Sequence, residues 1–196
     1  MNVEELQTTN GLLIKGPLLL VPKVFSDDRG FFLESWNFSK WTEILNRFDQ
    51  QPHQFVQDNH SSSSKGVLRG LHYQIPPHPQ GKLVRCVSGE IFDVAIDLRK
   101  SSSTFLKSVG VHLTENNFKQ LWIPNGFAHG FLTLSEHADV LYKTSDFWDP
   151  DCERSIIWND SSLDINWPTL SQIPICSSKD SDAPFVHEMI SSDFFE

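Results

Sequence analysis

Apolar positions recur in short runs along most of this chain and only once at a helical spacing. Trp41, Ile44, Leu45 and Phe48 fall at i, i+3, i+4 and i+7, the single-face pattern of an amphipathic helix, with Ser39 placed as its N-cap. Elsewhere, short apolar or alternating segments stand between turn-forming Gly, Pro, Asp and Ser residues, which predicts strands. They cover residues 67–74, 82–87, 91–98, 109–113, 120–123, 130–134 and 140–144, together with 31–36 after the turn Asp27-Asp28-Arg29-Gly30. The turn Ser88-Gly89-Glu90 makes 82–87 and 91–98 the expected arms of a hairpin. Ser61 to Ser64 reads as a loop, 75–80 as a Pro-rich loop, and the tail from Pro168 onward as loop-like chain wrapped over the body. Many short strands with one helix predict an all-β sandwich or jelly roll. A length of 196 residues suits one domain spanning 1–196.

Composition narrows the partners. Aromatic residues reach 12%, with fifteen Phe and six Trp, which favours strands and stacking surfaces. Sixteen basic against 25 acidic residues give a net charge of −9 and no basic stripe for nucleic acid, while a few converging cations still suffice for a small anion. Cys86, Cys152 and Cys176 are odd in number and form no CxxC pair, so neither a disulfide framework nor a zinc knuckle is expected, and a reducing cytoplasm fits. The most apolar N-terminal stretch, 11–24, is interrupted by Lys15, Pro17, Pro22 and Lys23, and predicts neither a membrane span nor a secretion signal.

Candidate chemistry concentrates in the run Lys65-Gly66-Val67-Leu68-Arg69-Gly70-Leu71-His72-Tyr73-Gln74. It sets a permanent cation and a titratable imidazole three residues apart on an otherwise buried strand, where a guanidinium requires an anionic partner. Further polar groups lie downstream. Lys82 begins a strand, which for a single lysine reads first as a solvated strand end. His129 stands between Gly126 and Gly130 after a tight turn, and Tyr142 lies among apolar neighbours. A tyrosine in such a place is commonly structural, and becomes a general acid when it stands opposite a base. No HxH or HxxxH pair occurs on a strand, so no metal site is expected.

With these residues assembled, the chain resembles the dTDP-4-dehydrorhamnose 3,5-epimerases, metal-free and cofactor-free members of the cupin-type jelly rolls. The resemblance runs from about Gly16 to Asp180. It rests on Phe25-Ser26-Asp27-Asp28-Arg29-Gly30-Phe31-Phe32-Leu33-Glu34, on Phe55-Val56-Gln57-Asp58-Asn59-His60-Ser61, on the Lys65 to Gln74 run, on Gln80-Gly81-Lys82-Leu83-Val84-Arg85, and on 120–131. It implies a double-stranded β-helix with a few short helices, a homodimer, and a dTDP-linked 4-keto-6-deoxy sugar as substrate. His72 corresponds to the family's base, Tyr142 to the acid on the opposite face of the sugar, Asp180 to the carboxylate paired with the base, and Lys82 to the lysine near the C4 oxygen. Gln57, Asp58, Asn59, Arg69, His129, Glu153 and Lys179 correspond to nucleotide or sugar contacts. Arg29 and Glu34 match residues that reach the site across a dimer interface. Trp148 falls where the family carries an aromatic ring, commonly Phe or Tyr, against the thymine.

The implied reaction suits these groups. A C4 ketone acidifies the hydrogens on C3 and C5, because the resulting carbanion delocalises as an enolate. A fixed cation at the enolate oxygen is worth roughly 3 kcal/mol. An imidazole titrating near 6.5 can take the proton, and a phenol titrating near 10 can return one to the other face. The residues taken alone leave open a sugar-nucleotide 3-epimerase or 3,4-ketoisomerase on the same scaffold, and a non-catalytic sugar-nucleotide binder.

Overall fold

The structure is a computed structural model describing residues 1–169 and 172–196. In chain order its elements are β1 (Asn2–Gln7), β2 (Leu13–Val21), β3 (Val24–Asp27), β4 (Gly30–Leu33), α1 (Phe38–Arg47), β5 (Gln57–Ser64), β6 (Leu68–Gln74) and β7 (Lys82–Ser88). After them come β8 (Glu90–Asp97), β9 (Ser108–Thr114), β10 (Gln120–Ile123), β11 (Phe127–Thr133), β12 (His137–Thr144), β13 (Glu153–Ser155) and α2 (Ser178–Ser181). A six-stranded sheet, β1-β2-β10-β7-β12-β5, faces a five-stranded sheet, β13-β6-β11-β8-β9, and β3 with β4 forms a separate hairpin. Every named pairing is antiparallel, as a jelly roll requires.

Three apolar clusters hold the layers. Ile14, Val84, Leu121 and Val140 from one sheet interdigitate with Ile91, Val109, Leu113 and Phe131 from the other. Outside the six-stranded sheet, α1 packs Trp41, Ile44 and Leu45 on Leu18, Leu20, Leu83 and Trp122. Outside the five-stranded sheet, the tail covers Leu71, Tyr73, Ile96 and Leu98. Each fully buried large apolar side chain contributes about 1.5–3 kcal/mol, so both outer covers matter to stability as much as the centre does.

Several expectations are corrected. The helix cap is Asn37, whose side-chain oxygen accepts from Lys40 N at 3.2 Å; Ser39 already lies in the first turn. Strands 82–87 and 91–98 exist but are not hairpin partners. β7 pairs with β10 and β12, β8 pairs with β11 and β9, and the Ser88-Gly89 corner carries the chain from one sheet to the other. Ser61 to Ser64 is not a loop but the end of β5, paired with β12 along its whole length. The interrupted stretch 11–24 holds β2. Its residues 15–17 bulge between Ile14 and Leu18, which pair with Leu6 and Glu5, so Pro17 owes no ladder hydrogen bond. The tail packs Val186, Met189, Phe194 and Phe195 on the five-stranded sheet's outer cluster, and it carries α2 and two short 3-10 turns, Val186–Glu188 and Ser191–Asp193. Among the described residues no helix is long and apolar enough to cross a membrane.

A close approach of two strands sets the spacing of the two histidines. Gly70 has φ +124°, and a Cβ there would lie 2.6 Å from Gly130 Cα; a Cβ on Gly130 would lie 2.8 Å from Arg69 O. Only paired glycines let β6 and β11 come this near, and those strands bring His72 and His129 into register as direct partners.

Candidate active site

Between the sheets lies a cavity of about 410 Å³, and its wall draws on both of them. β6 supplies Arg69 and His72, β7 Lys82, β11 His129, β12 Tyr142, and the tail Lys179 and Asp180. A smaller cavity of about 130 Å³ shares His72, Lys82 and Tyr142 with it, and is completed by Gln57, Asn59, Trp148 and Glu153. The three shared residues are thus the partition between two lobes; the larger one mixes polar groups with Val67, Leu68, Phe131 and Ile175, and the smaller one is mostly polar.

The partition is tightly organised. His72 Nε2 lies 2.6 Å from Asp180 Oδ1, with the imidazole 29% exposed and the carboxylate only 5%. Burial pushes the Asp180 carboxyl up. The hydrogen bond and charge of His72, with bonds from Ser177 and the Gly70 backbone, outweigh it and hold the group below its ordinary range. Lys82 is no solvated strand end. It is buried, and its ammonium donates to the His72 carbonyl at 3.2 Å. Burial pushes Lys82 down to about 8, despite the opposing charges of Glu153 and Asp93. Burial likewise raises the Tyr142 phenol, with Arg69 drawing it partly back. The phenol therefore keeps its proton through the neutral range. The site combines an imidazole oriented by a carboxylate, a protonated phenol and a desolvated cation, which together can remove a proton, return one and stabilise an oxyanion.

Arg69 does not take the expected anionic partner. Its guanidinium is held by Ser63 Oγ at 3.0 Å and Ser62 O at 3.2 Å, both neutral, and no carboxylate of the described residues pairs with it. Its charge remains available at the cavity wall. Lys179, by contrast, is paired with Glu153, whose carboxyl burial raises and the lysine lowers further. Gln57, Asn59, Ser61 and Ser63 alternate inward along β5. Gln57 donates to Asn59 at 3.0 Å and accepts from Trp148 N at 3.2 Å, while the Trp148 indole is exposed at the rim.

Three of the expected site residues are not brought to the cavity. Asp58 points to the opposite face of the sheet, where Lys143 pairs with it at 2.8 Å. Arg29 sits in the tip of the β3–β4 hairpin, 89% exposed and bonded to Asp27, and Glu34 pairs with Lys40 at 2.7 Å. In the other direction, sequence reasoning missed Asp93. It is fully buried on β8, with Oδ1 2.6 Å from His129 Nε2 and Oδ2 without a partner among the described residues. Its signal was an acid inside the apolar strand Ile91-Phe92-Asp93-Val94-Ala95-Ile96. The cavity-lining Ser61 and Cys176 were also missed.

Known proteins resemble this chain over nearly its whole length. The profile of the dTDP-4-dehydrorhamnose 3,5-epimerases matches residues 11–188. The enzyme of that name from Pseudomonas aeruginosa is 56% identical over 169 residues, covering 86% of this chain and 90% of its own. Its counterpart from Shigella flexneri is 53% identical over 178 residues, 91% of this chain and 93% of its own. Among solved structures, the Legionella pneumophila dTDP-6-deoxy-D-glucose-3,5-epimerase in complex with dTDP-4-keto-L-rhamnose superposes with a TM-score of 0.89 at 42% identity, covering 100% of this chain and 98% of that one. With motifs, jelly-roll topology and near full-length similarity in agreement, the chain belongs to the dTDP-4-dehydrorhamnose 3,5-epimerase family.

Proposed function

We propose that this enzyme is an isomerase that converts dTDP-4-dehydro-6-deoxy-D-glucose into dTDP-4-dehydro-β-L-rhamnose, inverting C3 and C5 through enolate intermediates. One observation carries the reading: His72, Tyr142 and Lys82 line both lobes of one site, with Asp180 locked to the imidazole. His72 takes the proton from carbon, and Asp180 fixes the ring and stabilises the imidazolium. Lys82, charged below about pH 8, meets the enolate oxygen. Tyr142 delivers a proton from the other side, which a lone base would fail to do. Arg69 and His129 hold the diphosphate, and Gln57, Asn59, Trp148, Glu153 and Lys179 hold the sugar and base, converting remote binding into positioning.

The active species in this reading is a homodimer in the cytoplasm. The β3–β4 hairpin carries Phe25, Phe31 and Phe32, each more than half exposed, beside Arg29. An apolar arm of this kind suits burial against a second copy, with Arg29 and Glu34 completing the neighbour's site. The chain acts as one domain over residues 1–196. Proton NMR of the 4-keto sugar nucleotide in heavy water with this enzyme tests the chemistry. Loss of both the C3 and C5 proton signals with appearance of the L-configured product is expected. Loss at C3 alone would identify a 3-epimerase, and retention of both signals would leave only a binder.

A further inference from the structure

The end of the chain, 189–196, lies beyond the residues matching the family profile, yet it is built onto the catalytic strands. The Asp193 carbonyl accepts from the Tyr73 hydroxyl at 2.8 Å, and its carboxylate accepts from Arg154 Nε at 3.0 Å and from Ile190 N at 3.1 Å. Phe195 anchors the segment through two backbone bonds, its N to Leu98 O at 3.0 Å and its O from Lys100 N at 2.8 Å. Its ring packs 6.2 Å from the Tyr73 ring. Tyr73 is 2% exposed, so this cover replaces solvent entirely.

The two residues that Asp193 grips are neighbours of site residues on adjacent strands. Tyr73 follows His72 on β6, Arg154 follows Glu153 on β13, and the ladder pairs Arg154 with Tyr73 and Ser155 with His72. Because side chains alternate across a strand, Tyr73 and Arg154 face outward while His72 and Glu153 face the cavity. β13 is a three-residue edge strand and would be weakly held by its own ladder. The same tail supplies Asp180, which grips His72 from the inner side. β6 is therefore held from both faces by one stretch of chain.

We propose that Asp193 is a positioning residue, which locks β6 and β13 from behind and so fixes His72 and Glu153 against the substrate. This role rests on the assignment of His72 as base. Small displacements of a catalytic group cost rate more than affinity, because the nucleotide's remote contacts stay intact.

The test compares full-length D193A, D193N, E196Q and H72A by kcat, KM, dTDP affinity and melting temperature. D193A keeps the backbone carbonyl that Tyr73 meets but removes the carboxylate that holds Arg154 and ties the 190–193 turn through Ile190 N. Release of that turn lets the carbonyl shift off Tyr73, and kcat is expected to fall about tenfold with dTDP affinity unchanged within about twofold. D193N keeps an oxygen for Arg154 and is expected to restore most of the rate. E196Q disturbs only the exposed end of the same segment, where Glu196 meets Lys100, and should leave kcat unchanged. If D193A folds poorly, Y73F removes the single hydroxyl bond inside an intact core, and a kcat loss of about threefold is expected. Wild-type kcat in D193A, or equal losses of kcat and dTDP affinity in D193A and E196Q, would overturn the proposal. Turnover by H72A would instead overturn the base assignment, so the two failures are told apart.

Discussion

Two imidazole–carboxylate pairs face the same cavity, each with Nε2 and oxygen 2.6 Å apart, and they are constructed differently. His129 and Asp93 both belong to the five-stranded sheet, on neighbouring strands, and are 8% and 0% exposed. His72 also stands on that sheet, but Asp180 arrives from the tail, and the imidazole keeps 29% exposure. A pair sealed inside one sheet is held rigidly at both partners. A pair assembled from a strand and a separate segment leaves one ring nitrogen open to the substrate and can cycle. In the proposed function the second pair carries the chemistry and the first holds the ligand.

The sharpest way to break this contrast is to truncate each imidazole. His72→Ala is expected to lower kcat by at least about 10³-fold, as loss of the general base does. His129→Ala is expected to act mainly on KM, raising it about tenfold, because it removes a ligand hydrogen bond made equally in ground and transition states. Similar kcat losses in both would mean the pairs share the proton work.

Lys82 shares the cavity wall with both histidines and comes next in size. Lys82→Met is expected to cost about 10²-fold in kcat, the typical value of a preorganised donor at an oxyanion. Its pKa also sets a direction with pH. The group is lowered to about 8, so it is charged below that value and neutral above it, and kcat should fall as pH rises through 8. In Lys82→Met that alkaline limb should vanish. A limb that persists in the variant belongs to another group.

The smallest effect concerns the framework. Gly130→Ala places a methyl 2.8 Å from Arg69 O and 2.9 Å from the Leu71 side chain, so the two strands must separate. A loss of about 1–3 kcal/mol in denaturant unfolding is expected, with reduced activity because His72 and His129 no longer lie in register. A wild-type midpoint would show that the strand spacing yields more easily than the contacts imply.

Much of the molecule is legible in its chain, for identifiable reasons. β6, β7, β10 and β12 carry apolar or alternating runs because their inner faces meet the core. The second half of β5, Ser61 to Ser64, reads as a loop because the strand's inward row, Gln57, Asn59, Ser61 and Ser63, is polar throughout and shows no apolar alternation. The β7–β8 connection resembles a hairpin because a tight turn and a change of sheet use the same Ser-Gly signal. Lys82 resembles a strand end because sequence carries no mark of which cation will be desolvated. Asp180 comes from resemblance alone: it lies 108 residues from its partner, a separation that no spacing rule encodes. Asp93 is visible in principle, as an acid that an apolar strand tolerates only when it is paired.

The claim that His72 removes the proton from carbon is tested most directly by deuterium uptake. His72→Ala and Tyr142→Phe are incubated with the 4-keto sugar nucleotide in heavy water, and label at C3 and C5 is followed by NMR. The expected result is no uptake in His72→Ala, with uptake continuing in Tyr142→Phe while product formation stalls. Exchange in His72→Ala at a near wild-type rate would contradict the assignment.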